Sequence, residues 1–385
     1  MTDAATSLKL FQNPRVLRNT TYGEAADPLI STAEFEAARA EISTWPDYAP
    51  TPLLDLPGLA AECGVAGVRY KDEAGRFGLG SFKALGGPYA IRRLIAERGG
   101  EPGELTVACA TDGNHGRAVA WGAKQLGCKS VVYIHEHVSV GRERAIAAYG
   151  AEVRRVPGTY DDSLRIMQTD AAANGWQVIS DTAGKDYGLV QLQIIAAYGV
   201  MAEEALMQMP AEAVPTHVIV QGGIGSLCAG VFGRLWDRLG ADRPAFIVVE
   251  PDKADCLYRS AEAGAPAKVP GDLDTVMACL AAGEVCYPAW RILEGCVDCY
   301  IAIPDAAAVR AMRRLAEGGA GDPPVVAGES GCAGVAGLMA LAEAGRGGEI
   351  GLDSASRVLV IGSEGATDPE LYAEIVGKSP AEVVG

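Results

Sequence analysis

Lys83 lies in Gly78-Leu79-Gly80-Ser81-Phe82-Lys83-Ala84-Leu85-Gly86-Gly87, a run of small residues through which an aldehyde can reach the ε-amine and condense with it. Two further glycine-rich stretches lie downstream, Asp112-Gly113-Asn114-His115-Gly116 and Gln221-Gly222-Gly223-Ile224-Gly225-Ser226. The second follows an apolar strand pattern and precedes a helix expected to begin near Leu227. Such a loop turns backbone N–H groups toward an anion at the positive end of a helix dipole, which suits a phosphate. Near the C-terminus, Val358-Leu359-Val360-Ile361-Gly362-Ser363-Glu364-Gly365 reads as a buried strand ending in a hydroxyl that can meet a ring nitrogen. An amine for an aldehyde, a cradle for a phosphate and a neutral partner for a pyridine nitrogen together point to pyridoxal 5′-phosphate (PLP).

At these residues the chain resembles the fold-type II PLP enzymes, the superfamily of the tryptophan synthase β-subunit and threonine dehydratase. Within it the sequence is most similar to the diaminopropionate ammonia-lyases. The likeness is carried by Asp47-Tyr48-Ala49-Pro50-Thr51-Pro52-Leu53, Lys71-Asp72-Glu73 with Arg76-Phe77-Gly78-Leu79, and Ala110-Thr111-Asp112-Gly113-Asn114-His115-Gly116-Arg117. It continues through Glu250-Pro251-Asp252-Lys253-Ala254-Asp255-Cys256, Gly328-Glu329-Ser330-Gly331 and Ser363-Glu364-Gly365-Ala366-Thr367-Asp368.

The resemblance implies two doubly wound α/β sheet domains with the active site in the cleft between them, a homodimer, and a small amino-acid substrate. It implies that Lys83 carries the cofactor with Phe82 beside it. Gly222, Gly223, Ile224, Gly225 and Ser226 then hold the phosphate, Asn114 meets the phenolic oxygen and Ser363 the pyridine nitrogen. A hydroxyl at that nitrogen leaves it largely unprotonated, which suits β-elimination over transamination.

Asp112 stands where hydroxyl-eliminating relatives carry serine, and an aspartate there would repel a substrate carboxylate unless it has another task. Holding an ammonium, or taking a proton on the face opposite Lys83, are such tasks. Asp181 matches a second aspartate of the ammonia-lyase pattern, and two carboxylates would let both enantiomers be deprotonated. His115 and Glu329 are expected in support. The implied reaction converts 2,3-diaminopropionate to pyruvate and ammonia. Residues 184–190 depart from the family pattern, with Lys185 available to an extra substrate carboxylate. That departure keeps open a dehydratase of serine, threonine or 3-hydroxyaspartate. A PLP carrier without turnover stands as a third reading.

Alternating strand and helix patterns are expected to position these residues. Strands are expected at 105–110, 130–134, 152–156 and 177–180, with helices at 116–126, 141–149 and 160–174. This block belongs to a small inserted domain, 89–190. Residues 1–88 and 191–385 form the large domain, with strands at 218–220, 246–249, 299–303 and 358–361. Residues 1–10 and 379–385 are expected to fray.

The 385 residues carry a net charge of −16 without a basic face, which argues against a nucleic-acid partner. No signal peptide pattern and no apolar run of about 20 residues appears, so a membrane is not expected and the cytoplasm is. Ten scattered cysteines fit small buried residues in a reducing compartment. Cys296 and Cys299 make one Cys-x-x-Cys pair with no second pair or histidine cluster near it, so no metal site is expected.

Overall fold

The computed structural model describes residues 8–24, 28–111 and 113–385. Among them are eleven strands: β1 (Lys9–Gln12), β2 (Leu53–Asp55), β3 (Gly67–Asp72), β4 (Thr106–Ala110), β5 (Lys129–His135), β6 (Glu152–Val156), β7 (Gln177–Val178), β8 (His217–Gln221), β9 (Ala245–Pro251), β10 (Cys299–Ile303) and β11 (Arg357–Gly362). They form a seven-stranded sheet, ordered β1-β10-β9-β8-β11-β3-β2, and a four-stranded sheet, β6-β5-β4-β7.

The inner strands of the large sheet run parallel, as do all pairs in the small one. The apolar runs of β8, β9 and β10 reflect burial on both faces. In β8, Val218 and Val220 enter the helical layer on one side while Ile219 enters the other, and in β9 Phe246 and Val248 alternate with Ile247 and Val249 in the same way. That alternation is the physical content of a doubly wound sheet.

Two expectations about the termini are corrected. Residues 9–12 do not fray, because β1 pairs antiparallel with β10, Lys9 opposite Ala302 through Gln12 opposite Cys299. Residues 379–385 do not fray either, because Ser379 and Glu382 form a capping box on the helix Pro380–Val384, which buries Val383. The expected strand at 177–180 is shorter and ends at Val178. The helix Leu189–Gln208 is long and apolar enough to cross a membrane, yet 72% of its apolar window is buried inside the protein.

The Lys71-Asp72-Glu73 and Arg76 motif builds a buried charge network. Glu204 accepts from Arg76 at 2.8 Å through both oxygens, pairs with Lys71 at 2.7 Å and accepts from Tyr48 at 2.9 Å. Glu73 takes the remaining side of Arg76 at 2.8 Å. Two cations thus face two anions with almost no water. Replacing Glu204 by glutamine keeps the shape but leaves Lys71 and Arg76 opposite a single carboxylate. An unbalanced buried charge costs about 3–5 kcal/mol, so Glu204→Gln should markedly lower the urea midpoint of unfolding. An unchanged midpoint would show that the network contributes little.

Candidate active site

Lys83 opens the helix Lys83–Arg98 at the end of a stitched loop. Phe82 N–H donates to the Ser363 carbonyl at 3.0 Å, Gly365 N–H donates to the Gly80 carbonyl at 3.0 Å, and Ser81 bridges Glu364. Gly80 needs its positive φ of 79° to make that turn. Behind the lysine, a Cβ on Gly86 would come within 2.8 Å of Ile194 and Tyr198, so glycine lets the helix Leu189–Gln208 pack close. Tyr198 is thereby brought edge-on to Phe82, with ring centroids 4.7 Å apart, and both rings underlie the Lys83 ammonium.

Lys83 Nζ donates to Asp181 Oδ2 at 2.5 Å. Burial disfavours the ammonium, but Asp181 more than offsets this, and Lys83 holds its proton above its ordinary value. Burial likewise opposes ionisation of Asp181, yet the fields of His115 and Lys83 hold it below the usual carboxylate range. His115 Nε2 lies 2.8 Å from the Ile179 carbonyl, which can only accept, so Nε2 carries the proton. Among the described residues its Nδ1 has no hydrogen-bond partner, and it sits 3.7 Å from Asp181 Oδ2. Because burial also pushes the imidazole down, Lys83 is the positive charge that Asp181 meets at neutral pH.

The glycine loop runs from the end of β8 to the helix Ser226–Leu239. Gly223 and Gly225 adopt φ of 62° and 96°. A Cβ at Gly222 would fall 2.6 Å from Glu250, and one at Gly225 would fall 2.9 Å from Leu293. The chain therefore requires glycine here and leaves the first turn of a fourteen-residue helix to face an anion. Ser226 Oγ donates to the Asp181 carbonyl at 3.2 Å, so this helix start touches the residue that holds Lys83. Glu250 supports the loop from beneath, accepting from Leu257 and Tyr258 N–H at 3.0 and 2.7 Å; burial pushes its pKa up to about 8.

β8 and β11 are neighbours, so their carboxyl ends set Gln221 against Ser363. Ser363 Oγ accepts from Gln221 Nε2 at 2.6 Å, which leaves its own hydroxyl hydrogen for another acceptor such as a pyridine nitrogen. Asn114 begins the helix Asn114–Leu126 and donates to Glu364 Oε2. A cradle that only glycine permits, an amine at its lip and a free hydroxyl opposite fit PLP.

Phe82, Lys83, Asp181, Ser363 and the 222–226 loop are thus linked through direct contacts, and Asn114 joins them through Glu364, the neighbour of Ser363, while Asp112 lies outside the described residues. Glu329 is near too, with an oxygen 3.7 Å from Arg142. Lys185 is exposed, its ammonium 6.0 Å from the ring centre of Tyr287. Cys296 and Cys299 are buried in the core. Tyr198, Gln221, Cys279 and Glu364 are site residues that sequence reasoning did not single out. Gln221 and Glu364 lie within the motifs but were given no role there, whereas nothing in the helical pattern marks Tyr198.

Residues 44–363 match the family model described as pyridoxal-phosphate dependent enzyme. A diaminopropionate ammonia-lyase of Escherichia coli (strain K12) is 38% identical, covering 93% of this chain and 95% of its own. One from Salmonella typhimurium is also 38% identical, over 86% and 89%. The solved Escherichia coli enzyme in complex with an aminoacrylate-PLP azomethine reaction intermediate superposes with a TM-score of 0.89 at 37% identity, covering 96% of this chain and 97% of that one. Likeness of that degree runs nearly end to end in both chains, and the chain belongs to the pyridoxal-phosphate-dependent enzymes and, among them, to the diaminopropionate ammonia-lyase family.

Proposed function

We propose that this chain converts 2,3-diaminopropionate and water to pyruvate and two ammonia. The observation that carries this reading is the Lys83–Asp181 pair at 2.5 Å, beside the glycine cradle. When bound, PLP supplies an aldehyde for the substrate's α-amine and a conjugated ring that takes up the electrons of the Cα–H bond as the β-amine leaves. In this reading Lys83 holds the cofactor until substrate arrives, and its Nζ then accepts the Cα proton. Asp181 keeps that proton on Nζ, and its charge attracts a substrate bearing a second ammonium. The 222–226 loop binds the phosphate, Phe82 packs below the amine, and Ser363 donates to the ring nitrogen without protonating it. Asn114 meets the phenolic oxygen. Asp112 serves as base on the opposite face.

Pyruvate release from D- and L-diaminopropionate, followed with lactate dehydrogenase, tests this. Turnover of serine, threonine or 3-hydroxyaspartate with none of either diaminopropionate isomer would replace the reading with a dehydratase. Cofactor binding without any turnover would leave only a carrier.

The same reading divides the molecule into 1–88 with 191–385 and an inserted 89–190, one sheet in each. It also makes the enzyme a cytoplasmic homodimer, for which light scattering of the purified protein would give twice the chain mass.

A further inference from the structure

Two motifs carry acidic residues that the reaction above does not use, Gly328-Glu329-Ser330-Gly331 and Ser363-Glu364-Gly365, and the fold brings them into one corner of the site. Glu364 is 2% exposed and Glu329 1%. The 328–331 loop wraps Glu364 closely. Gly328 N–H donates to the Glu364 carbonyl at 3.1 Å, a Cβ on Gly328 would come within 3.2 Å of Glu364 Cγ, and one on Gly331 would come within 2.2 Å of its carbonyl oxygen. Both positions need glycine because the 364–365 backbone fills the space: the Gly365 carbonyl would lie 2.5 Å from a Cβ on Gly328.

A buried carboxyl is costly unless its partners justify it. Oε2 of Glu364 accepts from Asn114 Nδ2, with the Cys279 thiol and the Thr367 hydroxyl each at 3.5 Å. Oε1 has no hydrogen-bond partner among the described residues. Among the described residues, charged and titratable groups facing this corner are Arg142 from the helix Val140–Ala147, Glu329 from the wrapping loop, Asp368 after β11, Cys279 from the turn 278–280, and the buried Cys332 and Tyr70. Burial and the charge of Glu364 push the Glu329 carboxyl up to about 7; burial raises Glu364 too, but the field of Arg142 and the hydrogen bond from Asn114 oppose that rise and favour its carboxylate.

An asparagine amide has an oxygen that only accepts and a nitrogen with two hydrogens. A carboxylate at hydrogen-bond distance decides which end turns toward it. With one N–H committed to Glu364, the nitrogen is held in place; its other contact is the weak one to the Cys279 sulfur at 3.5 Å, which an oxygen acceptor in the cleft can replace. We propose that Glu364 is a positioning residue, fixing the Asn114 amide so that its nitrogen, not its oxygen, faces the phenolic oxygen of bound PLP. The inference rests on the reading that Asn114 meets that oxygen.

The test uses the reconstituted holoenzyme and the pH titration of the cofactor's visible absorbance, which a merely structural role would not move. Asn114→Ala should shift the midpoint by about one to two units, the size expected for one hydrogen bond to a charged oxygen. Glu364→Leu removes the acceptor with an apolar side chain that a buried site tolerates, and should shift the midpoint in the same direction by at least half as much. The double variant should go no further than Asn114→Ala alone. Glu364→Gln keeps a neutral acceptor and should fall between Glu364→Leu and wild type; if the leucine variant does not fold, the glutamine variant carries the comparison with a smaller shift.

A second measurement isolates the underlying reading. Cys279 is exposed while its sulfur lies 3.5 Å from Asn114 Nδ2, so PLP should slow its alkylation by iodoacetamide. Shielding of Cys279 and a shift with Asn114→Ala, but wild-type titration in both Glu364 variants, would overturn the proposal and leave Asn114 at the cofactor. Absence of shielding together with an unshifted Asn114→Ala would remove Asn114 from the cofactor and the proposal with it.

Discussion

Lys83→Ala should lose the visible absorbance of lysine-bound cofactor and at least about 10⁴-fold in turnover. Removing a general base alone typically costs about 10²–10⁴-fold, and here the same amine also carries the aldehyde. PLP should still associate through the 222–226 loop, yet wash out on dialysis because the covalent tether is gone. The fold should persist: Lys83 starts its helix at the cleft, 17% exposed, and the Asp181 carboxyl it leaves behind can take up a proton more readily. Absorbance and turnover at wild-type levels would remove Lys83 from the chemistry altogether.

Asp181→Asn should lower turnover by about 10²–10⁴-fold while leaving the cofactor bound, since the amide oxygen can still accept from Lys83 Nζ. The pH dependence should move with it. Asp181 raises the Lys83 pKa, so without that charge the lysine loses its proton at lower pH, and the acidic limb of the pH–rate profile should shift down. If Asp181 and Asp112 serve opposite faces of the substrate, the D and L isomers should suffer unequally. Wild-type rates on both isomers would reduce Asp181 to a residue that merely closes the end of its strand.

How much of this was legible in the chain depends on the range of the forces involved. The inner strands β8 to β11 were read nearly to the residue because a strand buried on both faces must be apolar throughout, and 299–303 came out with the bounds expected. Edge strand β1 was not, because Lys9-Leu10-Phe11-Gln12 is extended only through pairing with β10, almost 300 positions away. The lysine, the glycine cradle and Ser363 were visible because each chemistry demands a residue type at a fixed local spacing.

Contacts between motifs were not visible. Nothing local says that Asn114 and Glu364 touch, or that Tyr198 lies against Phe82. The Lys71-Asp72-Glu73 and Arg76 motif could be recognised as a likeness, but its role as a buried charge network emerges only with Glu204 in place.

β11 lies between β8 and β3, in the interior of the large sheet, although it is the last strand in the chain. A nascent chain on the ribosome therefore holds a sheet with an open seam, two apolar edges exposed, until residue 362 has emerged from the exit tunnel. Only then do Ser363 and Gly365 reach back to Phe82 and Gly80 and close the loop that carries Lys83. Cofactor capture is thus a late event in biosynthesis, and fragments released early present unpaired strand edges to chaperones and proteases instead of a half-built enzyme to free PLP.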